Sequence, residues 1–84
     1  MEPQSELHRW NSTTELGRIV AERRHAQGLR QEDLAFAAGV SRPMVIAIEQ
    51  GKATARIDGV LKVLHTLGLE CAVVARESEF GVSR

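Results

Sequence analysis

The stretch from Gln31 to Gln50 constrains this chain more than any other. The run Gln31 to Ala38 is short, rich in small residues and closed by Gly39. Ser41 is a natural N-cap for a second short helix, running to about Gln50. Pro43 is tolerated in its first turn, where backbone N–H groups have no intrahelical partner. Two short helices joined by so tight a turn pack only when several demands are met at once. Ala35 stands where the helices cross, and a larger side chain there would push them apart. Gly39 supplies the positive φ expected in the turn. Val40 plugs the angle between the helices. Val45 and Ile48, three apart, face inward, and Leu34 and Ala38 complete the inner surface. Each residue alone is uninformative. Together they predict two helices held at one fixed angle.

The flanks complete a helical domain. Ser12 and Glu15 fit a capping box, in which Ser12 accepts from the Glu15 N–H and the Glu15 carboxylate reaches back. The helix that follows runs to about Gln27 with Leu16, Ile19 and Val20 on one face, and Gly28 is placed to end it. After a loop over residues 52–56, a fourth helix covers roughly Ile57 to Leu67, with Ile57, Val60, Leu61, Leu64 and Leu67 as its apolar stripe and Gly51 and Gly68 as stops before and after. The pattern then changes. Leu69, Cys71, Val73 and Ala75 share one face at period two, which predicts a strand over residues 69–76. A lone strand cannot satisfy its own backbone donors and acceptors, so its economical partner is the same strand of a second copy. Residues 1–11 read as a flexible lead-in, apart from Trp10, and residues 77–84 as a flexible polar tail.

With 84 residues the chain is at most one domain with one small core, and association with a second copy would support it. Its 11 basic and 11 acidic side chains cancel, so a nucleic-acid partner requires local segregation of charge. Arg18, Arg23, Arg24, Arg30, Arg42, Lys52 and Arg56 occupy the middle, while Glu2, Glu6, Glu70, Glu77 and Glu79 sit toward the ends. No apolar run is long enough to span a bilayer, and the first residues lack the apolar core of a secretory signal. Cys71 is the single cysteine, which fits a reducing cytoplasm, and it reads as a small buried apolar group rather than a nucleophile. His8, His25 and His65 are scattered, off metal-ligand spacing, and read as surface residues. The sequence therefore predicts no metal, no cofactor and no enzyme activity.

The paired short helices predict a helix-turn-helix unit, against the plainer alternative of a small bundle with the same packing. Residues 16–69 resemble the lambda-repressor/Cro-like, or XRE, helix-turn-helix family. The matching text is Leu16-Gly17-Arg18, then Gly28-Leu29-Arg30-Gln31-Glu32-Asp33-Leu34-Ala35, then Gly39-Val40-Ser41-Arg42, then Ile48-Glu49-Gln50-Gly51-Lys52. The ending from Leu61 to Glu70, running into a strand, is similar more narrowly to HipB-type antitoxins. The resemblance implies a mainly α, compact four-to-five-helix lambda-repressor-like domain over residues 12–68. Its C-terminal β-strand would pair across a dimer through Leu69, Cys71, Val73, Val74 and Ala75. It implies a homodimeric repressor of its own operon that binds an inverted repeat in double-stranded DNA and holds a HipA-like kinase toxin. A stand-alone phage or restriction-modification regulator, or a module that mainly neutralises a toxin, remains open.

Carried residue by residue onto this chain, the family pattern puts Ser41, Arg42, Pro43, Ile46 and Ala47 on the exposed face of the helix that enters the major groove. Arg42 either forks onto a guanine edge or grips a phosphate. Pro43, Ile46 and Ala47 are apolar where the family commonly has polar residues, so they either press on thymine methyls or leave recognition to DNA shape. Ile46 also fits a surface that a partner covers. Gln31 matches a residue that clamps a phosphate and buttresses the reading helix, and Lys52 and Arg56 match phosphate contacts around the following loop. The plainer reading of each is a solvated surface side chain. Arg30 stands where a Ser or Thr cap is common, adding charge while weakening the cap. Arg24 and Glu49 match an internal ion pair between the first and third helices.

Overall fold

Four helices follow one another in the computed structural model, which describes residues 7–76. They are α1 (Thr13–Ala26), α2 (Gln31–Ala38), α3 (Arg42–Glu49) and α4 (Ile57–Thr66). Their starts follow local chemistry. Ser12 Oγ accepts from the Glu15 N–H at 3.1 Å, and Ser41 Oγ accepts from the Met44 N–H at 3.2 Å. The Glu15 carboxylate accepts from the Asn11 N–H at 2.5 Å, one residue earlier than a reciprocal box with Ser12 would have it. Arg30 has no acceptor to offer α2. Asp33 instead takes the Arg30 N–H at 2.9 Å, so half of a capping box survives. The stops are uniform. Gly39 adopts φ 73, a left-handed turn that lets the Val40 N–H reach back to the Ala35 carbonyl at 3.0 Å. The same backward bond closes α1, α3 and α4, from Leu29, Lys52 and Leu69 respectively.

Every helix gives the core its buried face. Val20 of α1, Leu34 of α2, Val45 of α3 and Val63 of α4 are wholly buried, with Leu67 just beyond α4. Leu16, Ala35, Ile48, Val60 and Leu64 surround them, and Leu29, Ala38 and Val40 pack from the edge. Each fully buried Val or Leu contributes about 1.5–3 kcal/mol relative to exposure. The α3 helix packs against all three others. It approaches α1 so closely at Gly17 that an added Cβ would stand 2.7 Å from the Glu49 carbonyl oxygen and nearer still to that of Ile48. On its other side Met44 lies over Gly59 of α4, in space a Cβ would need.

Three expectations are corrected. The apolar stripe of α4 is rotated: Val63 is wholly buried, whereas Ile57 is 67% and Leu61 46% exposed. The apolar residues of this helix, Val63 included, form one broad arc, so periodicity alone could not choose its most buried line. Cys71 is exposed, not buried. Residues 69–76 carry neither strand nor helix. Val73 and Val74 stand 99% and 78% exposed, and Ala75 is exposed too. An extended segment becomes a strand only when a neighbour completes its ladder, and among the described residues no other extended segment pairs with this one. Of the expected terminal segments, residues 1–6 and 77–84 lie outside the described residues.

Candidate nucleic-acid interface

Glu49, the last residue of α3, is the point where three helices are fastened. Arg24 of α1 donates from Nε to Glu49 Oε2 at 2.6 Å and from Nη2 to Oε1 at 3.0 Å. Both side chains are under a tenth exposed. A bidentate pair fixes orientation as well as distance. Arg24 Nη1 donates to the Leu29 carbonyl at 2.8 Å, which ties in the turn before α2, and Nη2 also lies 3.3 Å from His25 Nε2. Hydrogen bonding to Glu49 raises the Arg24 pKa above the usual arginine value, so the guanidinium stays charged despite its burial. Gln31, at the start of α2, then donates from Nε2 to Glu49 Oε1 at 3.0 Å. The half-buried Gln31 amide is thus held by the same carboxylate that holds α1 to α3.

This lock aims the start of α3 outward. Ser41, Arg42 and Pro43 are all exposed there. Arg42, Arg30, Gln31 and Glu32 line one shallow cleft, with Arg24 at its base. The start of α3 therefore lies beside the start of α2. Ile46 and Ala47 were expected on the exposed face but are half-buried, because α3 is only two turns long and packs on three neighbours. Lys52 and Arg56 are exposed in and after the loop that follows α3. The start of α1 is stitched to that loop, since Thr13 Oγ1 donates to the Gly51 carbonyl at 2.6 Å.

Arg30 and Arg56, both exposed, each meet acids of their own chain. Arg30 Nε lies 3.2 Å from Asp33 Oδ2, and Arg30 Nη1 lies 3.2 Å from Glu32 Oε2. Arg56 Nη2 lies 3.2 Å from Asp58 Oδ2. The Arg30 guanidinium and its backbone N–H together hold the Asp33 carboxyl below the usual carboxylate range.

Sequence reasoning missed the support behind this face. The Gly17 approach, Met44 over Gly59 and the Thr13 stitch are contacts between distant segments, and only the glycines left a trace in the sequence. It also missed a clamp at the far end of α4. The Leu67 carbonyl accepts from Arg23 Nε of α1 at 2.9 Å and from Nε2 of Gln27, the residue that caps α1, at 3.0 Å. Among the described residues, no group of three or more His, Cys, Asp or Glu side chains is placed to hold a metal ion, and no helix is long and apolar enough to cross a membrane.

The arrangement has known counterparts. A family model described as Helix-turn-helix matches residues 20–74. The "Uncharacterized HTH-type transcriptional regulator y4mF" of Sinorhizobium fredii is 40% identical over 67 residues, which cover 80% of this chain and 88% of the relative. Among solved structures, a toxin–antitoxin module from Streptococcus pneumoniae is 37% identical with a TM-score of 0.67, over 77% of this chain and 71% of that one. The restriction-modification controller protein C.AhdI from Aeromonas hydrophila is 34% identical with a TM-score of 0.62, over 69% and 84% respectively. A chain of the HipA–HipB–O2–O3 complex superposes with a TM-score of 0.76 at 20% identity, over 84% of this chain and all of its own. At that identity the likeness carries the fold, a mainly α, four-helix lambda-repressor-like domain.

Proposed function

This chain belongs to the helix-turn-helix family of transcriptional regulators, and from that premise we propose that it is a sequence-specific repressor that acts as a dimer and serves as the antitoxin of a toxin–antitoxin pair. The observation that carries the DNA reading is the Arg24–Glu49–Gln31 lock, which fixes the exposed start of α3 beside the start of α2. In this reading α3 enters the major groove with its N-terminal end toward the bases. Arg42 reads a guanine edge, worth about 1–3 kcal/mol of discrimination. Ser41 and Pro43 stand beside it, and the half-buried Ile46 and Ala47 supply apolar contact to thymine methyls where the groove reaches them. Gln31, Lys52 and Arg56 hold phosphates on either side, which positions the helix without reading sequence. No covalent chemistry is involved, no cofactor is used, and the setting is the cytoplasm.

The dimer completes the site. Residues 69–76 present Val73 and Val74 to solvent and have no ladder partner among the described residues. The same segment of a second copy supplies one, through Leu69, Cys71, Val73, Val74 and Ala75. Two recognition helices then meet an inverted repeat with half-sites about one helical turn apart. The toxin assignment is supported by the likeness to the Streptococcus pneumoniae module. A HipA-like kinase as the toxin rests on the HipB-type resemblance of the segment from Leu61 to Glu70. The likeness to C.AhdI favours a second reading, a stand-alone controller on the same fold. An adjacent toxin gene separates the two.

Fluorescence anisotropy with the promoter upstream of the chain's own gene tests the DNA reading. Salt-sensitive specific binding that weakens in Arg42→Ala is expected. No specific binding at micromolar protein refutes it, because phosphate contacts make true binding steeply salt-dependent. Sedimentation of a chain lacking residues 69–84 tests the interface, and a truncated chain that still forms a tight dimer rules out the paired strands.

A further inference from the structure

The cleft between the starts of α2 and α3 holds a positive group already engaged by the protein itself. Arg30 lines this cleft with Gln31 and Arg42, and its guanidinium meets Asp33 on one side and Glu32 on the other. Its side chain is 73% exposed, so its partners rather than burial determine where it points. We infer that Asp33 and Glu32 act as an internal substitute for a DNA phosphate, holding Arg30 in the free protein and surrendering it when the duplex arrives. The inference rests on the DNA-binding reading above.

The exchange has consequences that a simple phosphate contact lacks. An arginine that neutralises a phosphate releases condensed cations from DNA, and each such contact steepens the fall of affinity with salt by about 0.9 in log–log slope. When Arg30 leaves Asp33 and Glu32, those carboxylates are exposed and recruit cations in turn. Release and uptake offset one another, so Arg30 adds little to the salt slope and little to affinity for arbitrary sequences. Its contact is worth making only where the rest of the face is well seated. The two acids therefore trade general affinity for discrimination. Arg56 and Asp58 repeat the arrangement at the start of α4. In a chain of zero formal charge, this pairing withholds positive charge from non-specific DNA.

The test is a double-mutant cycle read on two fluorescein-labelled duplexes, one of mixed sequence and one carrying the chain's own promoter. Asp33→Asn keeps an oxygen for the Arg30 N–H while removing the charge. Glu32→Gln removes charge at a position with no capping bond, so it serves if the first variant folds poorly. Combined, they are expected to tighten mixed-sequence binding severalfold at low salt and to steepen the slope by about 0.9, an added loss of about 3.5-fold between 50 and 200 mM salt. In an Arg30→Gln background the same substitutions are expected to leave the slope unchanged and to give a markedly smaller gain. An equal gain in both backgrounds overturns the inference, since the acids then act by plain repulsion of DNA. Absence of binding by the wild-type chain to either duplex removes the DNA-binding reading itself, and this inference with it.

Discussion

Replacing Gly17 by Ala sets two effects against each other, and the structure decides the sign. Gly17 lies within α1, where Ala is favoured over Gly by about 1 kcal/mol in an unhindered helix. From helix propensity alone, Gly17→Ala stabilises. The packing reverses this. The new Cβ would stand 2.7 Å from the Glu49 carbonyl oxygen, and nearer to that of Ile48, where ordinary contact begins at 3.4 Å. These are backbone atoms at the end of α3, so no side chain can rotate aside. The helices must separate by roughly 0.7 Å or more, and overpacking of this kind costs about 1–3 kcal/mol. With rigid atoms on both sides the upper end applies, leaving a net loss of about 2 kcal/mol. For a domain of this size each kilocalorie lowers Tm by roughly 4–8 °C, so a fall of about 8–16 °C is expected in a thermal melt followed by circular dichroism. The separation falls at Glu49, so promoter binding should weaken beyond what partial unfolding explains. A Tm that stays level or rises would refute the close approach of α1 to α3.

Other perturbations probe the same frame. Glu49→Ala leaves the Arg24 guanidinium buried without its partner and should cost about 3–5 kcal/mol in denaturant titration, most of the stability of so small a domain; a loss under 1 kcal/mol would mean the pair is solvated. Ser41→Ala removes the acceptor for the Met44 N–H and should cost about 1 kcal/mol, while Ser41→Asn should recover most of it. Asp33 titrates below the usual carboxylate range because Arg30 binds its charged form. Its contribution is thus complete above the ordinary aspartate pKa and lost as pH falls through the lowered one. Asp33→Asn should flatten stability against pH in that acidic window and lower stability near neutrality by the contribution the charged carboxylate makes there.

Helix ends were legible because their causes are local. Ser12, Ser41, Gly28, Gly39, Gly51 and Gly68 act on backbone within a turn of themselves, so their positions alone bound the helices. The inner surface of α2 and α3 was legible because small, glycine and apolar demands coincide in twenty residues. The inner arc of α4 was not, since the choice of Val63 over Ile57 and Leu61 depends on where α2 and α3 lie. Glycines that permit close approach look in sequence like any other glycine, and Gly17 and Gly59 acquire meaning only beside Glu49 and Met44. At the start of α3, the exposure of Ser41, Arg42 and Pro43 followed from their place at the helix N-terminus. The engagement of Arg30 and Arg56 by nearby acids did not, because sequence spacing permits an ion pair without selecting it.

Arg23 and Gln27 both grip the carbonyl of Leu67, the residue at which the chain leaves α4 for the segment that ends the described fold. That segment departs from a fixed post on α1, the same helix that Glu49 and Gly17 bind to α3. The exit from α4 and the α3 helix are therefore mounted on one rigid beam. In a dimer joined through residues 69–76, the span between the two α3 helices is then set by how that segment pairs and by the post from which it leaves α4. Loosening the Leu67 grip would blur that span. The result would be tolerance of altered half-site spacing, with each single half-site still read as before.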